Sequence, residues 1–326
     1  MVALSRTWHD GVMCVAHFAF SLCVVLGASA CGHDECTGFE RSVTRDDLLD
    51  STGFISVGER GLVIRFTDRR VPEVRPTPVT EDLLALARDP SERYFVAVGR
   101  RGAVIRSDDN GLAWHVADTP VLTADLRDVH LGCDTDFDPL GLGVAVGDRG
   151  ALLVTDDLGA TWTLSDWPGT EDLRVGAVLP DRVMLAVGDA GTIARSDDDG
   201  VTWTRVESGL TSALVALNTF SCHSYSLDPR ELYAASVDGH LLRSRDSGVS
   251  WIPAQTEPIP APVRGLLVTD GGSFLNLATD REFFATDLPA DDWTPDFTFP
   301  GSVRNFRVPS VVVADDGLYT SCVTKD

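Results

Sequence analysis

From about residue 50 to its end, the chain is built of short apolar runs separated by Gly- and Asp-rich turns. FVAVG (95–99), LGVAVG (142–147), MLAVG (184–188) and LYAAS (232–236) are nearly continuous apolar stretches. Each leads through a turn into a second short run, such as AVIRS (103–107) or TIARS (192–196). Runs this short, bounded by turn residues, predict β-strands, and no stretch in this region carries a sustained helical period.

The runs repeat as units. Anchored on the Val-Gly turn, copies fall at Gly58, Gly99, Gly147 and Gly188, with weaker ones at 235–239, 277–281 and 312–317. A period near 41 residues is a propeller-blade length. One unit reads as four strands, A to D: DLRVGAVLP (172–180), RVMLAVGD (182–189), GTIARSD (191–197) and TWTRVES (202–208). The B–C turn is Gly-x-x-Gly, expected because a tight turn needs the positive φ that glycine adopts freely. Stacking such sheets radially buries both faces of each one. The expectation is all-β: a seven-bladed β-propeller spanning 37–326, its ring closed by pairing of the N- and C-terminal strands. Residues 37–43 would add the missing D strand beside 317–325 and remove an open edge.

A second phrase runs in register with the first. Ser107-x-Asp109-x-Gly111-x-x-Trp114 recurs at Thr155, Asp157, Gly159 and Trp162; at Ser196, Asp198, Gly200 and Trp203; and at Ser244, Asp246, Gly248 and Trp251. Unit six keeps Thr286 and Trp293 but not the Asp or Gly. This phrase resembles the Asp box, or BNR repeat, of sialidases, sortilin-type receptors and other propellers. Joined to the Val-Gly turn, it is most similar to the photosystem II assembly and stability factor family, over roughly residues 50–322. The resemblance implies the propeller fold and points to a binding or assembly role. The Asp of each box is expected to accept backbone N–H bonds in its own turn, with the Gly left-handed and the Trp packed into the blade. The acidic run is thus a fastener, not a ligand site.

Charge and the N-terminus narrow the setting. The net charge is −22, which repels phosphate backbones and anionic membranes and excludes nucleic acid as a partner. Residues 12–30 form an apolar stretch ending Ala28-Ser29-Ala30, followed by Cys31. This pattern predicts a lipoprotein-type signal peptide over 1–30, a short tether over 31–36 and Cys31 as the lipid anchor. The protein is then exported, periplasmic or on the surface of a bacterial envelope, monomeric, and touches the membrane only through that anchor. Acylating Cys31 leaves Cys36, Cys133, Cys222 and Cys322 to pair in an oxidising compartment. Cys36–Cys322 would tie the two ends together. Cys133–Cys222 would join the long A–B loops of units three and five; two buried free thiols are the alternative.

Candidate chemistry is sparse. Arg127, Arg174, Arg264 and Arg304 each open an A strand, and in a propeller equivalent A-strand positions converge at one channel mouth. Four guanidiniums there suit a carboxylate or phosphate, or a protein partner. Alternatively Arg127 and Arg174 neutralise Asp125 and Asp172 on the same strand face. Asp134, Asp136 and Asp138 alternate like the start of a calcium loop, but Pro139 and Ala145 stand where Gly and Glu are usual, so the metal reading is weak. His130 alternates with apolar residues and reads as core or channel wall. Phe306-Arg307-Val308-Pro309 is similar to the sialidase F-R-I-P motif but lies in the last unit, and no Tyr sits in a recognisable nucleophile motif. The expected function is therefore a non-catalytic, cofactor-free binding or assembly module of the cell envelope. The alternatives are a sialidase-type or other glycoside hydrolase and a structural cation- or glycan-binding propeller.

Overall fold

The computed structural model describes residues 72–218 and 230–255 without interruption. Outside them it describes 6–9, 12–15, 48–52, 55–66, 228, 258–259, 262–269, 274–279, 282–287, 297–298, 303–306, 311–314 and 317–321. The described strands form six four-stranded sheets and one five-stranded sheet. In chain order, sheets one to six span 48–75, 83–116, 126–164, 173–206, 214–253 and 263–298. Each of the six pairs its strands A-B-C-D consecutively and antiparallel, as the fourth shows with Leu173–Val178, Met184–Gly188, Ile193–Ser196 and Thr204–Val206.

Successive A strands lie against one another: 83–88 touches both 48–52 and 126–133, and 303–306 also lies against 48–52. The D strands hold the far edge, where His115–Val116, Thr163–Leu164 and Ile252–Pro253 are exposed. This explains the run pattern. B strands such as Phe95–Gly99 and Met184–Gly188 are buried along their whole length because a sheet covers each face. The core is accordingly a series of seams. One apolar cluster joins sheets one and two through Ile55, Val63, Leu86 and Phe95. Another joins two and three through Val96, Leu126, Leu131 and Leu153, and a third joins three and four through Val144, Leu173 and Met184. Burying one such Leu or Val contributes about 2 kcal/mol.

The Gly-x-x-Gly turn works differently from the expectation. Its first glycine is extended, with φ −168° at Gly99 and −170° at Gly147. What requires glycine there is space: a Cβ on Gly99 would sit 2.0 Å from the Asp82 carbonyl oxygen, and on Gly147 2.0 Å from that of Asp125. The positive φ falls instead on the third residue, where Arg60, Arg101, Arg149 and Ala190 adopt 54–57°, and on the closing glycine.

The four acidic turns match their expected geometry. Asp198 Oδ1 accepts from the Ser196 hydroxyl and the Thr202 N–H at 2.8 Å, and Asp198 Oδ2 accepts from the Thr202 hydroxyl at 2.7 Å. Gly200 is left-handed at +83°, and so is Asp199 before it at +59°. Trp203 Nε1 donates to Gly200 O at 3.0 Å. These turns also fasten sheets together. Trp114, Trp162, Trp203 and Trp251 lie in the seams between sheets one–two, two–three, three–four and four–five.

In the last sheet, Val12–Val15 of the hairpin 6–15 runs parallel to Gly317–Ser321, inside the stretch expected to be a leader. Residues 37–43, expected in that position, lie outside the described residues, as do Cys31, Cys36 and Cys322. Cys133 is buried and disulfide-bonded. Its expected partner Cys222 is outside the described residues.

Candidate functional site

Strand A of every sheet carries a β-bulge at its second residue. The register skips one position between Leu48 and Asp50, Leu83 and Ala85, Leu126 and Asp128, Leu173 and Val175, Leu214 and Ala216, Val263 and Gly265, and Val303 and Asn305. The skipped residues are Leu49, Leu84, Arg127, Arg174, Val215, Arg264 and Arg304. A bulged residue leaves the ladder and can be aimed away from the sheet. The four arginines of the sequence reading thus occupy one equivalent position, beside the B–C turns, because Leu126 pairs with Gly147 and Leu173 with Gly188.

Their ion pairs differ from the expected ones. Arg127 Nε donates to the Asp148 carboxylate, and Arg174 Nε to Asp189 Oδ1 at 2.5 Å; both acids lie in the B–C turn of the same sheet. The Asp148 hydrogen bond holds the Arg127 guanidinium above its ordinary pKa. Asp125 and Asp172 serve elsewhere. Asp125 Oδ1 accepts the Arg101 N–H at 2.9 Å, and Asp172 Oδ1 accepts the Arg149 N–H at 2.8 Å. Asp82 does the same for Arg60 at 3.0 Å. Each aspartate therefore clasps the left-handed turn residue of the preceding sheet. Arg127 and Arg174 keep partly exposed side chains, 41% and 38%, and Arg264 is exposed. Of Arg304, only the backbone is described.

The same face carries two shallow polar pockets on adjacent sheets. One, of about 290 Å³, is lined by Glu81, Asp82, Arg100, Arg101 and Asp125. The other, of about 360 Å³, is lined by Thr123, Asp148, Arg149, Asp166 and Trp167, among others. Both are lined by arginine and aspartate side chains, so the face is charged in both signs. Such a surface suits a partner with complementary polar groups better than a small apolar ligand.

The acidic-loop candidate lies at the opposite end of its A strand. Arg127 begins the strand Leu126–Cys133 and the Asp134 loop follows it, about 20 Å away at strand rise. In that loop Asp134 Oδ1 accepts the N–H groups of Asp136 and Asp138, each at 2.9 Å, so the alternating aspartates close a turn. Among the described residues no group of acids, His and Cys is arranged to hold a metal. His130 Nδ1 accepts the Val178 N–H at 3.2 Å, and Asp128 Oδ2 accepts that of Gly176 at 3.0 Å, so both join sheets three and four. The Phe306–Pro309 motif lies largely outside the described residues.

One constellation escaped the sequence reading. Tyr233 OH donates to Glu231 Oε1 at 2.9 Å, and Glu231 also pairs with Arg243, which lies over the Tyr233 ring at 5.5 Å. A Tyr–Glu–Arg set resembles glycosidase chemistry, but Tyr233 is 1% exposed. Burial, then the Glu231 contact, raises its pKa, the reverse of what a nucleophile needs. The available signal was Glu-x-Tyr at strand spacing, which puts both on one face.

This architecture defines a β-propeller. No protein-family model matches the chain, and no curated protein does. Solved structures do. YCF48 bound to a D1 peptide superposes with a TM-score of 0.54 at 17% identity, over 79% of this chain and 86% of that one. The GH74 enzyme of Niastella koreensis gives 0.56 at 12% identity over 73% of this chain and 44% of the enzyme, so the chain spans less than half of that protein. The WD40 repeats of RRP9 give 0.57 at 8% identity, over 77% and 79%. At these identities the likeness is one of fold.

Proposed function

We propose that the protein is a non-catalytic binding or assembly module, exported to the cell envelope on a Cys31 lipid anchor as a monomer. On this reading the B–C-turn face is offered to a protein partner or to an anionic group, and residues 37–326 form a seven-bladed ring. The observation that carries the reading is the repeated bulge, which puts Arg127, Arg174, Arg264 and Arg304 at equivalent positions of their A strands. Support comes from YCF48, a propeller of similar fold in complex with a peptide, and from the sequence resemblance to photosystem II assembly factors. Contact between 303–306 and 48–52 supports a closed ring. For a glycoside hydrolase, the acid pair would have to lie in an open cleft; the Tyr233 set is sealed instead.

The test is affinity purification from the native envelope with wild type and with a variant carrying Ala at all four arginines. Loss of the recovered partner, with an unchanged circular dichroism spectrum, is expected. Equal recovery would remove the arginine mouth from the proposal. Lipid labelling that survives Cys31→Ser would remove the anchor.

A further inference from the structure

Five seams join sheets one to six, and four of them are latched through the acidic turns. Arg65 Nε donates to Asn110 O at 2.7 Å across the first seam, Arg106 Nε to Leu158 O at 3.1 Å across the second, and Arg195 Nε to Ser247 O at 3.0 Å across the fourth. Each acceptor is the left-handed residue before the turn glycine. In the third seam Val154 replaces the arginine, and Ser165 Oγ donates to Gly200 O at 2.8 Å. Gly111, Gly159, Gly200 and Gly248 abut Ile55, Val96, Val154 and Leu185 of the preceding sheet so closely that a Cβ would sit 2.1–2.8 Å from them.

The fifth seam holds one half of this device. Arg243 pairs with Ile252 as Arg106 pairs with His115 and Arg195 with Thr204, so it stands at the latch position. The sixth unit, however, has Leu288 where the turn Asp belongs and Ala290 where the Gly belongs. Arg243 Nε is buried and makes no hydrogen bond, and neither do the buried Nε2 and Oε1 of Gln255. Gln255 follows Ala254 as Asp118 follows Ala117 and Asp166 follows Ser165; those two aspartates bridge to Thr161 and Thr202 of the next sheet. The aspartate clasp of the other face is also missing. Asp82, Asp125 and Asp172 clasp the first three seams, whereas Ala213 and Pro262 precede strand A in sheets five and six. Among the described residues the fourth seam thus keeps one kind of latch and the fifth neither.

Among the described residues the fifth seam is joined by apolar contact among Tyr233, Leu241, Leu275, Leu277 and Phe284, with backbone bonds such as Val263 N to Val237 O at 3.4 Å. Buried donors without acceptors are penalised when the seam is closed and hydrated when it opens. We propose that the molecule opens here: sheet six parts from sheet five in a subglobal step below global unfolding.

Hydrogen exchange on the full chain, read by mass spectrometry, tests this. Amides of 263–269 and 274–279 are expected to exchange at least about tenfold faster than those of 83–88 and 173–178. Rebuilding the turn with Leu288→Asp and Ala290→Gly is expected to slow sheet six about tenfold while leaving 83–88 and 173–178 unchanged. Should that variant misfold, Gln255→Met, which deletes the orphaned amide, is expected to slow the same amides. Sheet six exchanging as slowly as sheets two and four in the wild type would overturn the proposal. So would exchange in a folded variant that stays at the wild-type rate.

Discussion

In Thr155-Asp156-Asp157-Leu158-Gly159, two adjacent aspartates have unrelated tasks. Asp157 accepts from the Thr161 N–H, the Thr161 hydroxyl and the Thr155 hydroxyl, all at 2.8 Å, whereas Asp156 is exposed. Asp157→Ala is expected to cost about 2 kcal/mol in urea denaturation and Asp156→Ala about 0.5 kcal/mol or less. The same bonds set a pH dependence. Thr202, through its hydroxyl and N–H, lowers the Asp198 pKa. At Asp157 burial pulls upward but is outweighed by the Thr161 and Thr155 bonds. Asp238 is drawn down to about 2, chiefly by the Ser236 hydroxyl. Because the folded values are depressed, this stability is present above the unfolded carboxylate pKa of about 4 and is lost as pH falls towards 2. A melting temperature that is flat from pH 5 to 7 and drops steeply below pH 4 is the expected profile. The role of Asp157 was legible beforehand because spacing in a turn is local; which acid would pair Arg127 was not. Asp125 and Asp148 are both near in sequence or register, and a bulge decided between them.

At the scale of the element, the acidic turn and its tryptophan form one unit whose copies differ in a measurable way. Trp114 and Trp203 are equally buried, at 5% exposure. Trp203 Nε1 bonds to Gly200 O, while Trp114 Nε1 has no partner. Phe at position 203 is therefore expected to cost about 1 kcal/mol more than Phe at position 114 in matched denaturation curves; equal costs would show that the indole bond contributes nothing. The element boundaries followed from the apolar runs. That the first turn glycine is demanded by a neighbouring carbonyl oxygen could not be read, since its contact comes from the residue before strand A.

Across the whole molecule, the two ends of the A strands separate the candidate chemistry: the bulged arginines at one end, the Asp134 loop and Cys133 at the other. On our reading Cys133 bonds Cys222, whose strand A, Leu214–Asn218, also ends on that face. Non-reducing peptide mapping is expected to recover this pair, and Cys222→Ser to leave Cys133 open to alkylation. Recovery of Cys133 linked to any other cysteine would refute the pairing. The sequence alone determined the all-β class, the repeat, the strand order within each unit and the internal bonding of the acidic turns. These depend on residue period and on contacts a few positions apart. Only the tertiary structure decided that those turns latch one sheet to the next, that Arg127 and Arg174 pair with turn aspartates, and that among the described residues one seam lacks these latches. Each of those facts joins residues from different repeats, and the spacing within a repeat carries no record of which neighbour will face it.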